Sequence, residues 1–229
     1  MRSLFVVSLP RSLSSLVYYV VRNVLRLQAP SWTTDGEILN VDRFCLYPRH
    51  AWAPGIKFTQ RTRDPRLFQA ILDFLNQVAM PEGFAYKDVV HPFVVSEWLT
   101  GRDFRVLRIK RNIADVAYSM LDKHWYYPQL ASTGNKTVEA GVIEGLLRVD
   151  RLHDRLRAVH ANYDEVVANE QVLVQAVRSL YPGVSVGDFR YINDEFRTIR
   201  EQVLARRQSP RYMEIDRLVN EISATLASG

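Results

Sequence analysis

The run Leu4-Phe5-Val6-Val7 is β-branched and aromatic, Ser8 to Ser12 is a polar turn, and Leu13, Leu16, Val17, Val20, Val21 and Val24 then recur at helical spacing. Strand, turn and helix follow one another here without a spacer. The same order returns where Phe104 to Ile109 runs directly into Arg111 and a helix marked by Ile113, Val116, Ala117, Met120 and Leu121. A third extended piece near Val159 to Tyr163 precedes a helix carrying Val172, Leu173, Ala176, Val177 and Leu180. This alternation predicts a three-layer α/β fold with a mostly parallel sheet of four or five strands, helices on both faces, and a site at the strand carboxyl ends.

Between these units, Asp64-Pro65 reads as an N-cap and a first-turn proline. They open a helix whose apolar face is Leu67, Phe68, Ile71, Leu72, Leu75 and Val78. Phe84 to Val90 is another extended candidate, and a long helix is expected from about Val138 to Leu156. Two amphipathic stretches, around Phe196 to Leu204 and Ile215 to Leu226, close the chain. Gln28 to Arg63 shows no sustained period and is rich in Pro, Gly and aromatics, the kind of long connection that shapes a substrate pocket.

With 229 residues, 47% of them hydrophobic, the chain is expected to form one domain over 1–229. Its net charge of +5 favours anionic ligands, whether a nucleotide, a nucleic acid or an anionic surface. Basic and acidic residues are interspersed and no nucleic-acid recognition motif occurs, so no nucleic-acid partner is expected. The single cysteine, Cys45, reads as a buried structural thiol in a reducing, cytoplasmic setting. The apolar start is too short for a signal peptide, and no stretch approaches the roughly 20 apolar residues a membrane span needs. Oligomeric state is left open.

The turn Ser8-Leu9-Pro10-Arg11-Ser12-Leu13-Ser14-Ser15 lies where free backbone N–H groups and a helix dipole attract an anion. Arg11 adds a forked cation, and Ser12, Ser14 and Ser15 add hydroxyls. An ordinary capped turn with a surface arginine fits the same residues. The pattern Gly-x-x-x-x-Gly-Lys-Ser/Thr of the nucleoside triphosphatases is absent, and the turn holds no glycine or lysine. The second strand–turn–helix unit places Ser119 eight residues after Arg111, two helical turns along. A guanidinium at the strand end and a hydroxyl from the adjoining helix can share one phosphate.

Together these residues resemble the sulfotransferase superfamily. Its 5′-phosphosulfate loop commonly reads Pro-(Arg/Lys)-Ser-Gly-Thr-Thr, which Pro10, Arg11, Ser12, Leu13, Ser14 and Ser15 follow with leucine for the glycine and serines for both threonines. Arg111 and Ser119 match the spacing of the family's 3′-phosphate clamp, with Ile113 where a proline is common. Ala161-Asn162-Tyr163-Asp164-Glu165 is similar to the segment after the family's fourth strand, and its expected part is structural. The family's Gly-rich basic segment is missing, with Arg206 and Arg207 as candidate substitutes or plain helix charges.

The resemblance implies a P-loop-like form of the three-layer α/β fold, 3′-phosphoadenosine 5′-phosphosulfate (PAPS) as donor, and sulfuryl transfer to a hydroxyl or amine of a small-molecule or carbohydrate acceptor. The scheme requires no metal, and no clustered metal ligands stand in the sequence. In-line transfer asks the protein for positioning, for charge stabilisation and for a base to take the acceptor proton. Glu37 and His91 are the candidate bases, since the family is split between glutamate and histidine, and Glu37 is preferred. Lys87 and Arg11 are expected to neutralise charge on the reacting groups. His124, Trp125, Tyr126 and Tyr127, with Trp32, Trp52 and Trp98, are candidates for an aromatic acceptor pocket or for core. A non-catalytic nucleotide or polyanion binder on the same fold is the alternative.

Overall fold

The structure, a computed structural model, describes residues 1–31, 35–39, 57–134, 136–187 and 189–228. Cys45, Trp32 and Trp52 lie outside these residues. Strand β1 (Leu4–Ser8) is central, with β2 (Ala85–Asp88) on one side, β3 (Arg105–Lys110) on the other and β4 (Ala158–Asn162) beyond β3. The sheet order is β2-β1-β3-β4 and every pairing is parallel. Leu4 stands opposite both Ala85 and Arg105, and Val106 opposite Ala158. A short fifth contact extends the sheet past β2, where Lys87 N–H donates to the Gly36 carbonyl at 2.8 Å and Ile38 N–H to the Lys87 carbonyl at 3.0 Å.

All five residues of β1 are buried, and their alternation divides the core between two faces. Leu4 and Val6, with Leu107 and Ile109, pack under α1 (Ser14–Leu25) and α7 (Glu170–Leu180). Phe5 and Val7, with Val106, pack under α2 (Pro65–Val78) and α3 (Pro92–Leu99). A third cluster joins α4 (Ile113–Asp122), α5 (Val138–His153) and α9 (Pro210–Ser228). The short α6 (Tyr163–Val166) follows β4, and α8 (Asp194–Arg207) precedes α9. Arg108 of β3 is 1% exposed and is held by the Asp150 and Asp154 carboxylates at the end of α5, which fastens that helix to the sheet. Among the described residues no helix is long and apolar enough to cross a membrane.

The expected N-cap at Asp64 is present, its carboxylate accepting from Leu67 N–H at 2.9 Å, an arrangement that stabilises a helix by about 1 kcal/mol. Three boundaries differ from expectation. The extended piece at Phe84 to Val90 ends at Asp88, and only the three residues 89–91 separate it from α3. Six of the eight residues of α3 are buried, so it has no polar face and its sequence shows no helical period. The helix expected to reach Leu156 stops at His153, and Tyr163 opens α6 where a strand end was expected.

Candidate functional site

At the carboxyl end of the sheet, the turns after β1 and β3 open on one cavity of about 1130 Å³. In the first turn, Arg11 and Leu13 adopt left-handed backbone conformations, with φ of 62° and 58°. For residues with a Cβ this costs about 1–2 kcal/mol each. Leu13 therefore takes up the backbone region that a glycine there would enter freely. As the residue before α1 it provides no side-chain cap, so no side chain of the capping residue satisfies the first N–H groups of the helix. Pro10, Arg11, Ser12, Leu13, Ser14 and Ser15 all line the cavity.

The turn after β3 delivers Arg111 and Ser119 to the same space. Asn112 caps α4 by accepting from Ala114 N–H at 2.7 Å, which starts the helix directly after Arg111 and turns Ser119 inward. Arg111 is 7% exposed; its guanidinium lies 4.1 Å from the centre of the Tyr163 ring and donates to the Arg11 carbonyl oxygen. Its Nε has no hydrogen-bond partner, and no carboxylate among the described residues forms an ion pair with it. Burial lowers its affinity for the proton, and the neighbouring Arg206 charge adds to that effect. Arg11 Nε donates to Ser119 Oγ at 3.1 Å, so the two turns touch although a hundred residues of chain separate Arg11 from Arg111.

Helix α8 closes this end of the cavity through Ile199, Gln202, Val203 and Arg206. Arg207 is tied to Asp115 at 2.5 Å and to Asp164 at 2.8 Å, and these partners raise its pKa. It is thus a fastening between α8, α4 and α6, while Arg206 faces the cavity, packed over Tyr118 at 5.0 Å. Tyr163, expected to be structural, also lines the cavity beneath Arg111.

At the other end, Glu37 and Lys87 meet across the short outer pairing of the sheet. Lys87 Nζ is 3.0 Å from Glu37 Oε1 and 3.4 Å from Asp35 Oδ2, with the lysine side chain only 2% exposed. Burial raises the Glu37 carboxyl above the usual carboxylate range; Lys87 opposes the shift, and the charges of Asp88 and Asp35 add to it. Gly36 makes this arrangement possible at φ 80°, because a Cβ there would meet the Tyr18 ring at 2.2 Å. Asp35, Lys57, Tyr127 and Gln129 complete the wall. Burial, with the Glu37 charge as the next cause, pushes the Tyr127 phenol up.

His91 stands apart from the cavity lining. It is the residue before α3, 1% exposed, with its backbone N–H on Asp88 Oδ2 at 3.0 Å and its Nδ1 3.1 Å from Asp88 Oδ1. Of the aromatic candidates, His124, Trp125, Tyr126 and Tyr127 line the cavity, with the Arg11 guanidinium 5.4 Å from the Trp125 ring centre. Trp98 is core instead, packed on Phe5 and Phe104, with its indole N–H on Asn76. Sequence reasoning did not select Asp35, Lys57 or Gln129. The Asp35-Gly36-Glu37 spacing, which puts two carboxylates on one side of an extended segment, was the available signal for the first. Among the described residues no group of three or more His, Cys, Asp or Glu is placed to hold a metal ion.

No protein-family model matches the chain, and no curated protein matches it in sequence. Among solved structures it is similar to a sulfotransferase domain from the curacin biosynthetic pathway, at 14% identity and a TM-score of 0.47 over 98% of this chain and 96% of that one. It is also similar to retinol dehydratase, solved in complex with androsterone and the inactive cofactor PAP, at 14% identity and a TM-score of 0.39 over 89% of this chain and 65% of that one.

Proposed function

We propose that this protein is a PAPS-dependent sulfotransferase that moves a sulfuryl group onto a hydroxyl or amine of a small-molecule or carbohydrate acceptor. One observation carries the reading: the two anion motifs and the Glu37–Lys87 pair, far apart in sequence, open on a single cavity. At about 1130 Å³ it exceeds the 300–1,000 Å³ typical of single small-ligand pockets, which leaves room for donor and acceptor together.

The residues fit the donor's charges. The uncapped start of α1, with Arg11, Ser12, Ser14 and Ser15, would hold the 5′ end. Arg111 is a buried cation with no anionic partner among the described residues, and with Ser119 and Arg206 it would hold the 3′-phosphate. The bound donor supplies an activated sulfuryl group and a stable nucleotide leaving group. Glu37 takes the acceptor proton as the acceptor–sulfur bond forms and the bond from sulfur to the 5′-phosphate oxygen breaks, with the electron pair leaving on that phosphate. Its raised pKa brings it closer to the basicity such a step needs. Lys87 orients the Glu37 carboxylate, and Arg11 balances charge on the departing phosphate. The acceptor lies against Trp125, Tyr126 and Tyr127.

Two measurements on the intact chain test this. Calorimetric titration with 3′-phosphoadenosine 5′-phosphate (PAP) and with adenosine 5′-phosphate is expected to show micromolar PAP binding that needs the 3′ group. Turnover of PAPS with phenol, alcohol, sugar and amine acceptors is expected to fall at least 100-fold in Glu37→Gln, about the lower end for losing a general base, while His91→Asn retains it. PAP binding without transfer to any acceptor favours the non-catalytic nucleotide binder. Indifference to the 3′ group removes the donor assignment.

A further inference from the structure

A second hollow, of about 420 Å³, lies away from the donor cavity between the turn at 60–62, α2, α3 and the residues after α5. That volume falls in the range that holds small organic ligands. Phe68, Phe93, Leu152 and Leu156 give it apolar walls, with Phe68 at 2% exposure. Ser96 lines it from α3 and is 2% exposed, yet its Oγ has no hydrogen-bond partner. A serine inside a helix ordinarily donates back to the carbonyl four residues earlier. A buried hydroxyl left unmet is unfavourable and requires a reason.

The charges at the rim are unequal. Arg61 is neutralised by Glu97 at 2.5 Å and lies 4.7 Å from the centre of the Phe68 ring. Arg155 also lines the hollow, is exposed, and has no ion-pair partner among the described residues. Apolar walls, one unmet hydroxyl within and one unpaired guanidinium at the edge define a ligand with three matching parts.

We propose that this hollow binds a small aromatic carboxylate carrying a second polar atom, with its ring against Phe93, Leu152 and Leu156, its carboxylate on Arg155 and the second polar atom on Ser96 Oγ. The assignment is independent of the sulfotransferase reading, because none of these residues lines the donor cavity.

The test is an amide NMR titration of the intact chain with 4-hydroxybenzoate, benzoate and 4-hydroxybenzamide. Saturating shifts are expected at Ser96, Glu97, Arg155 and Leu156, with 4-hydroxybenzoate binding about 5-fold or more tightly than either of the others, the ratio that one hydrogen bond or one exposed charge contact provides. Ser96→Ala is expected to erase the preference over benzoate, and Arg155→Gln the preference over the amide. Both variants should fold, since one removes an unmet hydroxyl and the other alters an exposed side chain; an unchanged thermal midpoint checks this. Arg111→Met should leave all three affinities alone. Equal affinity for the three probes, shifts that vanish in Arg111→Met, or no saturable shift up to roughly 10 mM, where binding is weaker than about millimolar, would each overturn the proposal.

Discussion

Replacing Arg111 with methionine separates a residue kept for binding from one kept for folding. A buried cation whose salt-bridge partner is intact is normally a structural fixture, and breaking such a pair costs about 3–5 kcal/mol. Among the described residues Arg111 has no such partner. Its desolvation costs several kcal/mol. Against this stand one cation–π contact with Tyr163 at 4.1 Å, about 2 kcal/mol when desolvated, and one charged hydrogen bond to the Arg11 carbonyl, about 1.5–3 kcal/mol. These contributions nearly cancel, and methionine preserves most of the apolar volume. The ligand-free variant should therefore unfold in urea within ~1 kcal/mol of wild type, or be more stable. Binding should respond very differently. Loss of a forked pair of charged hydrogen bonds to a phosphate is worth about 3 kcal/mol, or on the order of 100-fold in the PAP dissociation constant. Adenosine 5′-phosphate, which lacks the 3′ group, should bind the variant nearly as well as wild type. A variant destabilised by 3 kcal/mol or more, with PAP and adenosine 5′-phosphate weakened equally, would show that Arg111 is a structural cation and refute the donor-site argument.

Three further outcomes follow from the geometry. In Asp35→Asn, Glu37 loses a like charge and no longer shares Lys87, so its pKa should fall and the acid limb of the pH–turnover curve should move to lower pH; a limb that stays or rises contradicts the pairing. Gly36→Ala forces a Cβ into the buried Tyr18 ring at φ 80°, and combined strain and overpacking of ~2–4 kcal/mol should appear in urea unfolding, with turnover falling more than PAP affinity. His153 is 2% exposed; burial, aided by the Arg108 charge, depresses its pKa to about 3, so it stays neutral in the fold while the unfolded chain protonates near pH 6.5. Stability should thus fall by about 1.4 kcal/mol per pH unit as pH drops below 6.5, continuing toward pH 3. That slope should flatten in His153→Gln between pH 6.5 and 5, and an unchanged slope would assign the acid sensitivity elsewhere.

Much of the frame was legible because local signals and tertiary placement agree. The apolar run at Leu4 to Val7 is buried on both faces, and the turns that follow β1 and β3 leave the sheet at the same end. Parallel pairing alone therefore brings Arg11 and Arg111 together. Helix α3 was not legible, since burial of six of its eight residues erases the period by which a helix is recognised. For Trp98 and His91 the sequence leaves site and core both open, and the decision comes only from tertiary placement, which buries the two at that same helix. The partnership of Glu37 with Lys87 depends on a register fifty residues apart, which no local pattern encodes. Arg206 and Arg207 are adjacent and chemically alike, and only the positions of Asp115 and Asp164 decide which one is tied down and which faces the cavity.

The short pairing of residues 36–38 with β2 gives the proposed base a different mechanical standing from the donor-binding turns. Those turns issue from interior strands, whose release would require breaking the sheet, whereas the carboxylate's segment pairs with β2 at the sheet margin through two backbone hydrogen bonds, beside Ile38 and Leu39 packed in the core. Peripheral rungs open at far lower free energy than the central ladder. Amide exchange at Ile38, compared with that at Val6 in the central ladder, would report how much less free energy this rung takes to open.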